Sequence, residues 1–157
     1  MNLKLEIKWA LIFTMATLFW SLLEKVTGLT STHIDKFPYF TNIFAVLAIT
    51  IYILAMKAKR KNLGGVLPWK KGFSFGILMT GYIFILTPLS LYITLKWIMP
   101  EFFNNTIQWA VTNNKMSLYE AENYFTFNNY LLQSLITVPL MGAVTSAIIA
   151  LFLRKKK

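Results

Sequence analysis

The chain has no cysteine, a single histidine and only six acidic residues in 157. Without cysteine there are no disulfides, thiolate metal sites or cysteine nucleophiles, and the redox compartment stays open. One histidine supplies no His-His ligand pair. For His33 and Asp35 to hold a metal, two more ligands would have to come from Glu101, Glu120 or Glu122. A solvated loop histidine is the simpler reading, so no metal and no cofactor is assigned. There is no Gly-x-Ser-x-Gly elbow, and Gly64-Gly65 lacks the Lys-Ser/Thr continuation of a phosphate loop. No catalytic residue is assigned, and the chain is read as a non-enzyme. Charge is scarce as well, at 14% of residues, and four stretches carry none: Trp9 to Leu23, Phe40 to Met56, Phe73 to Leu95 and Leu131 to Leu153.

What is present is apolar. Hydrophobic residues make up 56% of the chain, and mean hydropathy is +0.53, more than a soluble domain of this length can hide. The last two uncharged stretches are long enough to cross a hydrocarbon core, which takes ~20 apolar residues, and the first two reach that length with their flanking turns. Of the sixteen basic residues, twelve fall at Lys4 and Lys8, between Lys57 and Lys71, and at Arg154 to Lys157. Four crossings put all twelve on one side with only Glu6, a net +11, and leave four bases against five acids, a net −1, on the other. The positive-inside rule then predicts a multi-pass protein of the bacterial inner (cytoplasmic) membrane with both termini and the Lys57 to Lys71 turn in the cytoplasm. The first segment reads as a retained signal anchor, since Glu24-Lys25-Val26-Thr27 offers no small-x-small cleavage pattern. The basic face suits anionic lipid. Nucleic acid is excluded as a partner because no rings interleave the Arg154 to Lys157 run.

The predicted architecture is all-α: an integral membrane four-helix bundle with helices over about 7–29, 39–58, 70–98 and 129–154, forming one transmembrane domain over 1–157. Between the third and fourth spans, about 100–127, an outer amphipathic helical hairpin is expected. Phe103, Ile107, Ala110 and Val111 share one face of its first helix, Asn113-Asn114 stops that helix, and Ser117-Leu118-Tyr119-Glu120 is a capping box for the second. Gly72, Gly76 and Gly81 on the third span match Gly142, Ala143, Ser146, Ala147 and Ala150 on the fourth. This is read as a tight seam within one chain rather than a homodimer face, and a homo-oligomer goes with the carrier or channel reading below. Pro88 and Pro139 invite kinks in those two helices.

In order, Thr27-Gly28-Leu29, His33-Ile34-Asp35-Lys36, Thr41-Asn42-Ile43-Phe44, Lys57-Ala58-Lys59-Arg60-Lys61, Lys71-Gly72-Phe73, Thr87-Pro88-Leu89, Pro100-Glu101-Phe102-Phe103-Asn104-Asn105 and Glu120-Ala121-Glu122-Asn123-Tyr124-Phe125 run through the whole chain. With Met141-Gly142 and the basic end, this series resembles the bacterial domain-of-unknown-function family DUF4199. The resemblance implies a small inner-membrane protein of four helices and brings no activity with it.

Three functional classes can be weighed. The first is an accessory or scaffold subunit that binds another membrane protein or lipid, with the rings Phe102, Trp109, Tyr119 and Tyr124 exposed on the hairpin as its contact surface. The second is a small carrier or channel whose solute passes between the kinked helices along Gly76, Gly81, Gly142 and Ser146. The third is a headgroup enzyme using the outer carboxylates. Mid-depth polar groups are few, and Thr14, Thr17, Thr50, Thr80, Tyr82 and Thr145 can satisfy themselves on backbone or across helices, which ranks the accessory reading first. Glu24 and Lys96, at one depth near the outer boundary, are expected to pair or to snorkel separately.

Overall fold

The computed structural model describes residues 4–155; Lys156 and Lys157 of the basic run lie outside them. The described residues are helical, with no strand. Helix α1 covers Lys4–Val26. A 3-10 turn, Ile34–Lys36, leads into α2, Phe37–Asn62, and α3, Trp69–Ile93, continues through a π-helical turn at Thr94–Ile98. Two short helices follow, α4 at Phe102–Thr112 and α5 at Leu118–Tyr124, and α6 spans Phe127–Leu153. The four long helices are long and apolar enough to cross a membrane. Val46, Ile85, Ile136, Leu140 and Phe152 are all more than half exposed on them. So much outward apolar surface suits hydrocarbon, where a helix also satisfies its own backbone polar groups. The protein is a multi-pass membrane protein.

Local chemistry sets the breaks between helices. Gly28, at φ 74°, ends α1, and the Leu29 amide reaches back to the Glu24 carbonyl at 3.0 Å, closing the last turn as left-handed C-caps do. Pro38 sits in the first turn of α2, where its missing donor costs nothing. Asn114, at φ 52°, stops the chain after α4, and the Ser117–Glu120 capping box starts α5, with the Glu120 carboxylate accepting from the Ser117 amide at 2.9 Å. Two backbone hydrogen bonds join Leu67 to Lys155, at 3.1 and 3.0 Å, clipping the end of α6 to the turn between α2 and α3. Trp69 donates to the Ala147 carbonyl at 3.2 Å and stacks on Phe73, tying the start of α3 to α6.

Helix α3 is the central element, packed along α6 and α1, while α2 lies chiefly on α1. The α3–α6 seam is closed by small residues. A Cβ at Gly72 would meet that of Ala150 at 3.1 Å, one at Gly76 would fall on Ser146, and one at Gly142 would fall on Thr80. Gly81 is the exception on this stripe, with open space where its Cβ would be. Beside the seam, Met56, Leu67, Phe75 and Met79 make a buried apolar core with Ala10 and Ala55. This half, called here the basic end, also holds an ion pair: Lys59 Nζ meets Glu6 Oε1 at 2.9 Å, with Glu6 only 1% exposed. The same ammonium lies 5.2 Å from the centre of the Phe75 ring.

Candidate functional site: a cavity in one half of the protein

Toward the other end, the cap end, the long helices enclose a cavity of about 500 Å³. Ring packing makes its roof. Phe102 at the start of α4 sits 4.8 Å from Phe37 and 6.0 Å from Tyr130, centre to centre, and Met99 and Leu95 fill in beside it. The Asn105 amide donates to the Thr30 carbonyl at 2.9 Å and holds α4 against the connection that follows α1. The floor is a hydrogen bond between Tyr52 and Thr80 at 2.7 Å. Thr80 spends its only proton on the Gly76 carbonyl at 2.8 Å, so the Tyr52 hydroxyl is the donor. Below the floor lies the buried core, with Met56 and Met79 fully buried. Along α1 the cavity runs from Phe13 to Glu24 and along α6 from Tyr130 to Thr145, about 17 and 23 Å at the helical rise and so between half and three quarters of a ~30 Å hydrocarbon core.

One carboxylate reaches this space. Glu24 is 4% exposed and lines the cavity near its roof. Its Oε1 accepts from the Trp20 indole at 2.9 Å, one turn earlier on α1, and the Thr41 hydroxyl of α2 is its other hydrogen-bonding neighbour. The expected partner Lys96 is exposed on the π-helical turn and forms no ion pair with Glu24. The indole at the i−4 position is already within reach of the carboxylate, so the two charges do not pair.

The other singled-out residues scatter. Phe102 is not an exposed contact ring: at 3% exposure it is the roof, drawn inward because Phe37 and Tyr130 give it an apolar seat. Trp109 is half-buried on α4, whereas Tyr119 and Tyr124 are exposed on α5 and Tyr124 packs edge-on against Phe125 at 5.0 Å. His33 and Asp35 are exposed around the 3-10 turn, and among the described residues no group of three or more His, Cys, Asp or Glu is placed to hold a metal. The Asn42 amide donates to the Pro38 carbonyl of its own helix at 2.6 Å. Of the four residues expected along a solute route, Gly142 lines the cavity, whereas Gly76 and Ser146 are pressed together in the seam and neither they nor Gly81 line it.

A model of the family described as "Protein of unknown function (DUF4199)" matches residues 8–155. The chain belongs to this family. The span that matches DUF4199 contains every residue that lines the cavity, together with the roof helix and the seam. No curated protein and no solved structure matches the chain.

The hydroxyls around the DUF4199 cavity are what the sequence reading undervalued. Thr14, Thr17 and Thr80 do satisfy themselves on their own helices, at 3.0, 3.0 and 2.8 Å. Yet Thr14, Thr17, Ser21 and Glu24 recur at spacings of three and four, which sets them on one face of α1. That periodicity was the available signal. It marks a polar stripe along an otherwise apolar helix, and the stripe is the cavity wall.

Proposed function

We propose that this protein is a non-enzymatic binding protein of the bacterial inner membrane, an accessory subunit that docks lipid or another membrane protein through its cap half. In this reading the four long helices form a bundle with both termini and the Lys57 to Lys71 turn in the cytoplasm, and α4 and α5 make a hairpin over its outer face. The observation that carries the reading is the dead-end form of the cavity. It is roofed by rings, walled by hydroxyls and closed below by Tyr52 with its hydrogen bond to Thr80, above a buried apolar core. At about 500 Å³ it falls within the size range of small-molecule pockets, ~300–1,000 Å³. The exposed Tyr119 and Tyr124 on α5 add ring surface suited to a headgroup zone or a partner.

The test is retention of a bilayer component. Protein taken from native membrane through repeated detergent exchange and weighed by native mass spectrometry should carry about one lipid per chain. Ala48→Phe, which fills the cavity from the α2 wall, should abolish it. Bare protein in both samples would refute the reading. A carrier is the second reading, favoured by Pro88 and Pro139 inside the two helices of the seam. It predicts that liposomes bearing the protein become leaky to small solutes, whereas a dead-end site leaves them tight.

A further inference from the structure

The α1 wall of the cavity offers hydrogen-bond acceptors and almost nothing else. Thr14 donates its hydroxyl proton to the Ala10 carbonyl at 3.0 Å, Thr17 to Phe13 at 3.0 Å and Ser21 to Thr17 at 3.2 Å. A hydroxyl has one proton, so all three oxygens keep only lone pairs for a ligand. At the top of this ladder Glu24 accepts from Trp20 and Thr41. It does so while 4% exposed, and none of the bases at that end, Lys25, His33, Lys36, Lys96 and Lys115, forms an ion pair with it. A buried carboxylate without a cation is among the costlier groups a membrane protein can carry, and such groups mark functional sites. A cationic donor would complete such a site.

The walls also show how that donor arrives. On α1, α3 and the π-helical turn no lining residue is exposed: Ser21, Thr87, Thr94 and Leu95 are buried and Thr14, Thr17 and Leu91 half-buried. On α2 and α6 lining residues are exposed: Asn42, Ala45 and Ile49 on one helix, Thr137 and Met141 on the other. The cavity therefore opens sideways between α2 and α6, at the depth of the membrane core, where lipid rather than water is the neighbour. Lys25 follows Glu24, Lys36 precedes Phe37 and Lys96 follows Leu95, so three exposed lysines adjoin lining residues along the chain, with the acid Asp35 beside Lys36. A phosphate at headgroup level would meet cations there.

We infer that the cavity takes a phospholipid with a primary ammonium headgroup. One acyl chain enters between α2 and α6, the ammonium donates to Glu24, and the phosphate lies toward Lys25, Lys36 and Lys96. The inference rests on the binding reading proposed above and adds the headgroup to it.

The experiment reconstitutes wild type and Glu24→Gln into nanodiscs made of equal parts phosphatidylethanolamine and phosphatidylglycerol, then identifies by native mass spectrometry the lipid retained on release. Wild type should retain the ethanolamine lipid preferentially. In Glu24→Gln that preference should fall by about thirtyfold or more, the lower end of the effect of removing one partner from a buried charge pair, while total retention persists. Unchanged preference in the variant would overturn the inference and leave the binding reading standing. Equal retention of the two lipids by wild type would overturn it without recourse to any variant. Wild type that retains neither lipid overturns the binding reading along with it.

Discussion

Replacing Gly76 with alanine probes the close approach of α3 and α6. The new methyl would fall on the Ser146 hydroxyl, 2.5 Å from the Ser146 Cβ and 2.9 Å from the Met56 terminal methyl. Met56 can swing its end away. Ser146 Cβ is fixed to the α6 backbone, and restoring an ordinary carbon contact of ~3.5–4.0 Å means parting the helices by about 1 Å. Overpacking of this kind costs about 1–3 kcal/mol, against about 0.5–1 kcal/mol regained by removing a glycine from a helix interior. The net expectation is a loss of about 1–2 kcal/mol, read as a lower unfolding midpoint in detergent. Two controls fix the cause. Gly81→Ala, with no neighbouring atom within 4 Å of its Cβ, should be neutral or slightly stabilising. Ser146→Gly, which removes both offending α6 atoms, should rescue Gly76→Ala. Equal midpoints for Gly76→Ala and Gly81→Ala would refute the reasoning.

Other positions give independent expectations. Lys59→Met strands the buried Glu6 carboxylate and should cost about 3 kcal/mol; adding Glu6→Gln should restore most of that, as measured by unfolding in detergent. Hydrogen bonds from the Ser117 amide and then its hydroxyl hold the Glu120 carboxyl below the usual carboxylate range. A carboxyl depressed in the folded state contributes above the usual range and loses that contribution as pH falls through its folded value. Exchange protection of the α5 amides, corrected for intrinsic rates, should therefore be lower at about pH 3 than at about pH 6, and Glu120→Gln, which has no carboxyl to titrate, should remove the difference. Because the chain has no cysteine, single cysteines at Lys61 and Asn113 report orientation cleanly: an impermeant thiol reagent on intact spheroplasts should label Asn113→Cys, and labelling of Lys61→Cys instead would invert the proposed topology.

The long helices were legible because lipid makes a one-dimensional demand, about 20 apolar residues with no charge, and because Gly28, Pro38, Asn114 and the Ser117–Glu120 box mark their breaks by local geometry. The small-residue stripes were legible too, at Gly72 with Ala150 and Gly76 with Ser146, since only small side chains permit that approach. Other features depend on which helix faces which. Phe102 reads as a surface ring until Phe37 and Tyr130, 65 and 28 residues away in the chain, supply a seat for it. Glu24 and Lys96 share a depth, yet depth does not give azimuth, and Trp20 was the nearer partner all along. The cavity is a property of all four long helices together. In the sequence it left only the spacing of Thr14, Thr17, Ser21 and Glu24 on α1.

The most direct test of a dead-end binding site open to the bilayer is an experimental structure determined in lipid, from a lipidic cubic phase or a nanodisc. The account predicts a tubular density that enters between Ala45 and Met141, runs along Thr17 and Thr14, and stops above an intact Tyr52–Thr80 hydrogen bond. A chain of ordered waters passing Tyr52 and Thr80 toward Glu6 and Lys59 would contradict it.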